Sequence, residues 1–110
     1  DFVYIHVEAP DECGHRHEIE NKVKAIELID EKILAPVLAE LEAMGDYKIL
    51  IMPDHATPLA LRTHTNDPIP YLIYDSTKEQ SGVDCLCERT AKETGIYMPI
   101  GHELMRFIGK

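Results

Sequence analysis

The sequence is short of basic residues, of cysteine and of long apolar runs, and each shortage excludes a class of protein. It has 11 Lys and Arg against 20 Asp and Glu, and this formal charge of −9 argues against nucleic acids and anionic membranes as partners. Its three cysteines lack the spacing of a disulfide framework, so we expect a reducing, cytoplasmic location. No apolar run approaches the roughly 18 residues of a membrane span. A signal peptide is not expected, because the first residues lack a basic start.

The chain also lacks an initiator Met and opens directly on the apolar residues 2–7, which are typical of a central strand. Its 110 residues allow one domain with a modest core. A central strand without a lead-in indicates a piece of a longer protein. We therefore expect residues 1–110 to be the C-terminal part of a domain whose N-terminal part is absent.

Apolar patterning predicts three strands, at residues 2–8, 47–52 and 71–74, with a loop at 9–16 between the first strand and a long helix. The helix carries an apolar face of about seven turns at three- and four-residue steps, made of Ile19, Val23, Ile26, Ile29, Ile33, Val37, Leu41 and Met44. Pro36 predicts a kink or break, since an interior proline costs ~3 kcal/mol. Short helices are expected at 86–93 and 101–109. The β-α-β start predicts a parallel pair of strands with a right-handed crossover.

Side chains of metal-ligand type follow the predicted strands. Asp11 and His15 come after the first strand, Asp54 and His55 after the second, and His64 lies in the next loop. Ligands of parallel sheets gather beyond the carboxyl ends of the strands, so this order predicts one site at one edge. Five such ligands suit two divalent ions, a device for phosphoryl and other ester-transfer chemistry. Two such ions would also neutralise about four negative charges where an anionic substrate binds.

Several other polar residues have ordinary explanations beside functional ones. Arg62 could contact a phosphate or simply lie on the surface, and both interpretations stay open. Cys85 and Cys87 are too close together for a zinc ribbon. Ser76 and Ser81 follow the last ligand in a polar segment, and neither follows a strand at the start of a helix. The chain therefore offers ligands without an obvious nucleophile.

Four sequence motifs and the C-terminal tail resemble those of a known family. They are EAPDECGH at 8–15, KVKAIELID at 22–30, MPDHATP at 52–58, RTHTNDPIP at 62–70 and GHELM at 101–105. Together they resemble the alkaline phosphatase superfamily and, within it, the cofactor-independent phosphoglycerate mutases of the archaeal type. The resemblance implies a fragment of an α/β fold, a three-layer α/β/α sandwich with mostly parallel strands.

The resemblance also implies roles for single residues. Asp11, His15 and His64 match the ligands of one metal ion, and Asp54 and His55 match two ligands of the other. In the family an Asp and the Ser that carries the phosphoryl group complete the second site, and neither has a counterpart here. The implied ions are Mn²⁺ or Zn²⁺, with Mg²⁺ less suited to three imidazoles. Bisphosphoglycerate is not required.

The implied activity of the whole protein is isomerisation of 3-phosphoglycerate to 2-phosphoglycerate through a phosphoserine, with a small phosphorylated acid as substrate. The implied partner of residues 1–110 is the N-terminal part of the same protein. One alternative keeps the fold and changes the substrate, as in a phosphatase or a proposed homoserine kinase. Another is a metal-free structural or interaction domain on the same scaffold. Tight, stoichiometric metal would exclude this last alternative.

Overall fold

The computed structural model describes residues 2–78 and 82–108. The predictions for Ser81 and for the helical residue 109 therefore lie outside the described residues. Its elements are helix α1 (Ala9–His15), helix α2 (Ile19–Leu28), a π-helical segment (Ile29–Leu34), helix α3 (Ala35–Met44), strands β1 (Lys48–Ile51) and β2 (Leu72–Asp75), helix α4 (Glu88–Glu93), a 3-10 turn (Gly101–Leu104) and helix α5 (Met105–Ile108). They form two compact units. The first contains the residues up to Glu40 with His55–Asp67, and the second contains Leu41–Asp54 with the residues from Pro68 onward.

The first unit begins with an extended segment and not with the predicted strand at 2–8. A strand needs a hydrogen-bonding neighbour, and no described segment pairs with these residues, which leaves Val3 79% and Tyr4 76% exposed. The predicted loop at 9–16 is also wrong, because α1 occupies it. Pro10 lies in the first turn of α1, where its fixed φ favours a helix, and Asp11 in the same turn complements the helix dipole.

The predicted long helix is present as α2, the π-helical segment and α3, which follow one another without a gap. The expected interruption comes just before Pro36, where the Ala35 N–H donates to the Asp30 carbonyl in the five-residue step of a π turn. The start of the apolar face is not buried. Ile19, Val23 and Ile26 keep about half of their surface exposed, because no described element covers them.

The second unit contains an antiparallel pair of strands. β1 and β2 pair from Lys48 opposite Asp75 to Ile51 opposite Leu72, and they confirm the predicted strands at 47–52 and 71–74. The predicted parallel pair is not found, because the segment at 2–8 does not pair and this antiparallel pair is the only sheet among the described residues. The mostly parallel three-layer sandwich is therefore not seen in the part of the chain that the structure describes.

The C-terminal half of the second unit contains the predicted short helices as α4 and as the 3-10 turn with α5. Leu104 in the 3-10 turn is 3% exposed, and α5 packs against β1. Asp75 at the end of β2 is also buried, and it accepts hydrogen bonds from the Thr77 N–H at 2.9 Å and the Thr77 hydroxyl at 2.6 Å. These two bonds keep the pKa of Asp75 below its usual value despite burial. Over the described residues, no helix combines the length and apolarity that crossing a membrane requires.

Candidate metal centre

Asp11, His15 and His64 meet in the first unit. Asp11 and His15 lie one turn apart on α1, on the same face of the helix. The His15 Nε2 atom is 3.3 Å from Asp11 Oδ2, and the His64 Nε2 atom is 3.0 Å from Asp11 Oδ1. The two Nε2 atoms lie 3.1 Å apart. Ligands of one tetrahedral ion with bonds of about 2.0–2.1 Å lie about 3.3 Å apart, so these three side chains have a suitable spacing for a metal ion.

His55 joins the same cluster from the segment that follows β1. Its ring centroid is 3.6 Å from that of His64. Ligand atoms of Asp11, His55 and His64 all lie within 4.8 Å of one another, close enough to bind a single ion. Asp11 and His64 are therefore within reach of both His15 and His55. One carboxylate and three imidazoles form a donor set that suits Zn²⁺ or Mn²⁺.

The orientation of His15 is fixed by the backbone of Arg62. The His15 Nδ1 atom lies 2.9 Å from the Arg62 carbonyl, which only accepts, so Nδ1 carries a proton; in the neutral ring the lone pair is then on Nε2, the atom near Asp11 and His64. Arg62 has a φ of 55°, a left-handed conformation that is uncommon outside glycine and often found at functional sites. The structure thus gives Arg62 a main-chain role, and substrate binding by its side chain stays a prediction.

A second left-handed residue, His17, lies in the turn between α1 and α2 with a φ of 56°. Its Nδ1–H donates to the Leu59 carbonyl at 2.6 Å and ties this turn to the segment that carries His55 and His64. The contact of His17 is therefore a structural one.

Thr57 is the main residue of the site that the sequence did not single out. It is only 6% exposed, and its hydroxyl donates to Asp11 Oδ1 at 2.6 Å. That hydrogen bond is the largest cause that holds the pKa of Asp11 below its usual value, and the three neighbouring histidines act in the same direction against desolvation. Thr57 lies in the motif MPDHATP, but no sequence periodicity relates it to Asp11, whose carboxylate comes 46 residues earlier.

Gly14 allows the close approach of α1 to Thr57. A Cβ atom at Gly14 would lie 2.6 Å from the Thr57 carbonyl oxygen and 2.9 Å from both Thr57 Cγ2 and Lys22 Nζ. The same carbonyl accepts a hydrogen bond of 2.6 Å from Lys22 Nζ on α2. Any side chain larger than hydrogen at residue 14 would therefore displace Thr57 or the Lys22 ammonium group.

The remaining predicted site residues, apart from Arg62, belong to the second unit. Asp54 is exposed and belongs to the second unit, so its role as a ligand stays a prediction. In that unit the Ser76 hydroxyl accepts a hydrogen bond of 2.8 Å from the Tyr47 N–H, a structural contact. Cys85 and Cys87 are free thiols, and a hydrogen bond with the Thr90 hydroxyl lowers the pKa of Cys87.

Comparisons with known proteins find relatives that are named as mutases. A Geobacter sulfurreducens protein described as a probable 2,3-bisphosphoglycerate-independent phosphoglycerate mutase is 44% identical over 109 residues, which are 98% of this chain and 27% of that protein. Proteins named 2,3-bisphosphoglycerate-independent phosphoglycerate mutase from Methanothrix thermoacetophila and Methanosarcina acetivorans are 42% and 40% identical and are each matched over 28% of their length. The chain thus spans little more than a quarter of these relatives. No solved structure matches it. The Metalloenzyme superfamily model matches residues 1–109, nearly the whole sequence, and the chain belongs to that superfamily.

Proposed function

We propose that this chain is the metal-binding C-terminal part of a 2,3-bisphosphoglycerate-independent phosphoglycerate mutase. The whole protein would interconvert 3-phosphoglycerate and 2-phosphoglycerate through a phosphoserine. The observation that carries the proposal is the cluster of Asp11, His15, His55 and His64 in a chain whose relatives are named as such mutases. Those names favour the mutase over a phosphatase or a homoserine kinase. The cluster itself argues against a metal-free structural domain.

The proposed ligand sets follow the family pattern. Asp11, His15 and His64 would hold one ion, and Asp54 and His55 would contribute to a second. Two divalent ions supply charge for the phosphoryl oxygens and lower the pKa of a bound hydroxyl. Within this chain Asp11 offers a carboxylate kept ionised by its hydrogen bond, and His15 offers a nitrogen oriented by the Arg62 carbonyl. Mn²⁺ or Zn²⁺ is the proposed metal.

The substrate would be a small phosphorylated acid, and most of its binding residues would lie outside this chain. Arg62 is the one candidate here, because a guanidinium binds phosphate or carboxylate with paired donors and its backbone already contacts His15. The nucleophilic Ser is proposed for the part of the relatives that this chain does not span. Neither nucleic acid nor membrane is a proposed partner, given the charge of −9.

The three-layer sandwich is also a proposal for the whole protein. Residues 2–7 and the α2 side chains Ile19, Val23 and Ile26 are apolar and exposed in this chain. In this proposal, strands and helices in the other three quarters of the relatives' length would cover them. Pairing of residues 2–7 with strands of that part would restore the parallel arrangement that the sequence pattern predicts.

The test is mutase turnover by the full-length protein with Mn²⁺ supplied. Asp54→Ala removes a proposed ligand of the ion that activates the nucleophile, so turnover should fall by at least ~10³-fold. Asp46→Ala is the matched control, because Asp46 is an exposed aspartate of the same unit outside the proposed ligand set, and it should retain full activity. A fully active Asp54→Ala enzyme would show that the second ligand set is wrong.

A further inference from the structure

Thr57 is a buried residue of the candidate metal centre, and its hydroxyl is not among the proposed metal ligands. Its Oγ1 atom has two polar neighbours on different segments. Oγ1 lies 2.6 Å from Asp11 Oδ1 and 3.2 Å from His55 Nδ1. The first distance is that of a charge-assisted O–H···O⁻ bond, which is roughly twice as strong as a neutral one.

The number of protons decides the direction of both hydrogen bonds. A threonine hydroxyl has one proton, and an ionised carboxylate only accepts, so the proton of Thr57 points at Asp11. Toward His55 the hydroxyl can therefore only accept. His55 must then carry its ring proton on Nδ1, which leaves the lone pair on Nε2. The three groups form a directed chain from His55 Nδ1–H through Thr57 Oγ1–H to Asp11.

The backbone around Thr57 is held from three sides. Lys22 Nζ donates to its carbonyl at 2.6 Å, and Gly14 packs against that same carbonyl. The preceding residue, Ala56, forms an antiparallel bridge with Thr65, whose N–H donates to the Ala56 carbonyl at 3.0 Å. Since His55 and His64 flank this bridge, the bonds that fix Thr57 also fix the segments that carry both imidazoles.

We propose that Thr57 is a positioning residue of the metal centre, whose single hydroxyl sets the tautomer of His55 and the orientation of the Asp11 carboxylate. This inference rests on the proposed metal site. Groups that orient metal ligands through hydrogen bonds change metal affinity by roughly 10- to 100-fold when they are removed. Thr57 should act in this way although it touches no metal itself.

The first experiment measures Mn²⁺ binding to the full-length protein by calorimetry. Thr57→Val keeps the shape of the side chain and removes the hydroxyl, so affinity should fall roughly 10- to 100-fold. Thr57→Ser restores the hydroxyl and should bind within about threefold of the wild type. Thr77→Val is the matched control, because it removes a Thr–Asp hydrogen bond of the same 2.6 Å length in the other unit.

The second experiment measures the tautomer of His55 in the wild type and in Thr57→Val. Nitrogen-15 NMR of the metal-free full-length protein should find the proton of His55 on Nδ1, and Thr57→Val should give a mixture of tautomers. A proton on Nε2 in the wild type would overturn the proposal even if Thr57→Val failed to fold.

The outcomes separate this inference from the proposed metal site. If Thr57→Val binds Mn²⁺ as the wild type does while Asp11→Ala does not bind, Thr57 is a packing residue only and the inference is wrong. If Asp11→Ala also binds normally, the metal site itself is wrong. Loss of binding in Thr57→Val with rescue in Thr57→Ser supports the positioning role.

Discussion

At the scale of single residues, the types of ligand could be read from the sequence, but the residues that orient them could not. Asp11, His15, His55 and His64 stand out because carboxylates and imidazoles follow predicted strands. Thr57 and Lys22 do not stand out, because Thr and Lys are common in any polar segment. Their contacts join residues 46 and 35 positions apart, and no local periodicity encodes such pairs.

The titration of Asp11 should depend on the Thr57 hydroxyl. Because the pKa of Asp11 is lowered in the folded protein, ionised Asp11 contributes stability above its ordinary pKa of 3.8. That contribution is lost as the pH falls through the lowered pKa. In Thr57→Val the Asp11 pKa should rise, as measured by carboxyl carbon-13 NMR on the metal-free full-length protein. Asp75 is the internal control, because its pKa is lowered mainly by Thr77 and should not change in Thr57→Val.

Acidification should weaken metal binding at the same cluster. Imidazoles bind metal ions only when neutral, so protons compete with Mn²⁺ for His15, His55 and His64. Mn²⁺ affinity of the full-length protein should fall between about pH 7.5 and about pH 5.5, as measured by calorimetry at several pH values. An affinity that stays flat over this range would mean that these histidines are not ligands.

At the scale of elements, the sequence pattern correctly predicted those elements that depend mainly on local interactions. The strands at 47–52 and 71–74 and the interruption before Pro36 were predicted, because strand propensity and the missing proline N–H act locally. The strand at 2–8 and its parallel pairing are not seen, because pairing depends on a neighbour that the described residues do not offer. The loop at 9–16 became α1 because Pro10 and Asp11 favour a helical first turn.

The packing of α1 against Thr57 gives a prediction on stability. An Ala for Gly exchange inside a helix normally gains up to ~1 kcal/mol, because Ala is the better helix former. At Gly14 the new Cβ would lie 2.6 Å from the Thr57 carbonyl oxygen, and such overpacking costs about 1–3 kcal/mol. Gly14→Ala should therefore lower the free energy of unfolding of the full-length protein and weaken Mn²⁺ binding.

Gly101→Ala is the matched control for Gly14→Ala. A Cβ at Gly101 would meet nothing within 4 Å, so the free energy of unfolding should stay within about 0.5 kcal/mol of the wild type. Urea unfolding of both variants makes the comparison. Equal stability of the two would show that α1 adjusts without strain.

At the scale of the whole molecule, the described residues of the first unit bring candidate metal ligands together without a serine among them. It spans little more than a quarter of its relatives, and apolar side chains at residues 2–7 and on α2 stay exposed. Both observations support the proposal that the rest of a longer protein completes the fold and the active site.

Turnover should therefore require the longer protein. We predict no mutase or phosphatase activity from residues 1–110 alone with Mn²⁺ or Zn²⁺, because the unit that contains the cluster has no serine in its sequence. Ser76→Ala in the full-length protein should keep its activity, because that hydroxyl serves the Tyr47 N–H and its loss costs only about 0.5–1.5 kcal/mol of stability. The assay is conversion of 3-phosphoglycerate to 2-phosphoglycerate. Robust turnover by the isolated chain, or its loss in Ser76→Ala, would place the nucleophile within this sequence.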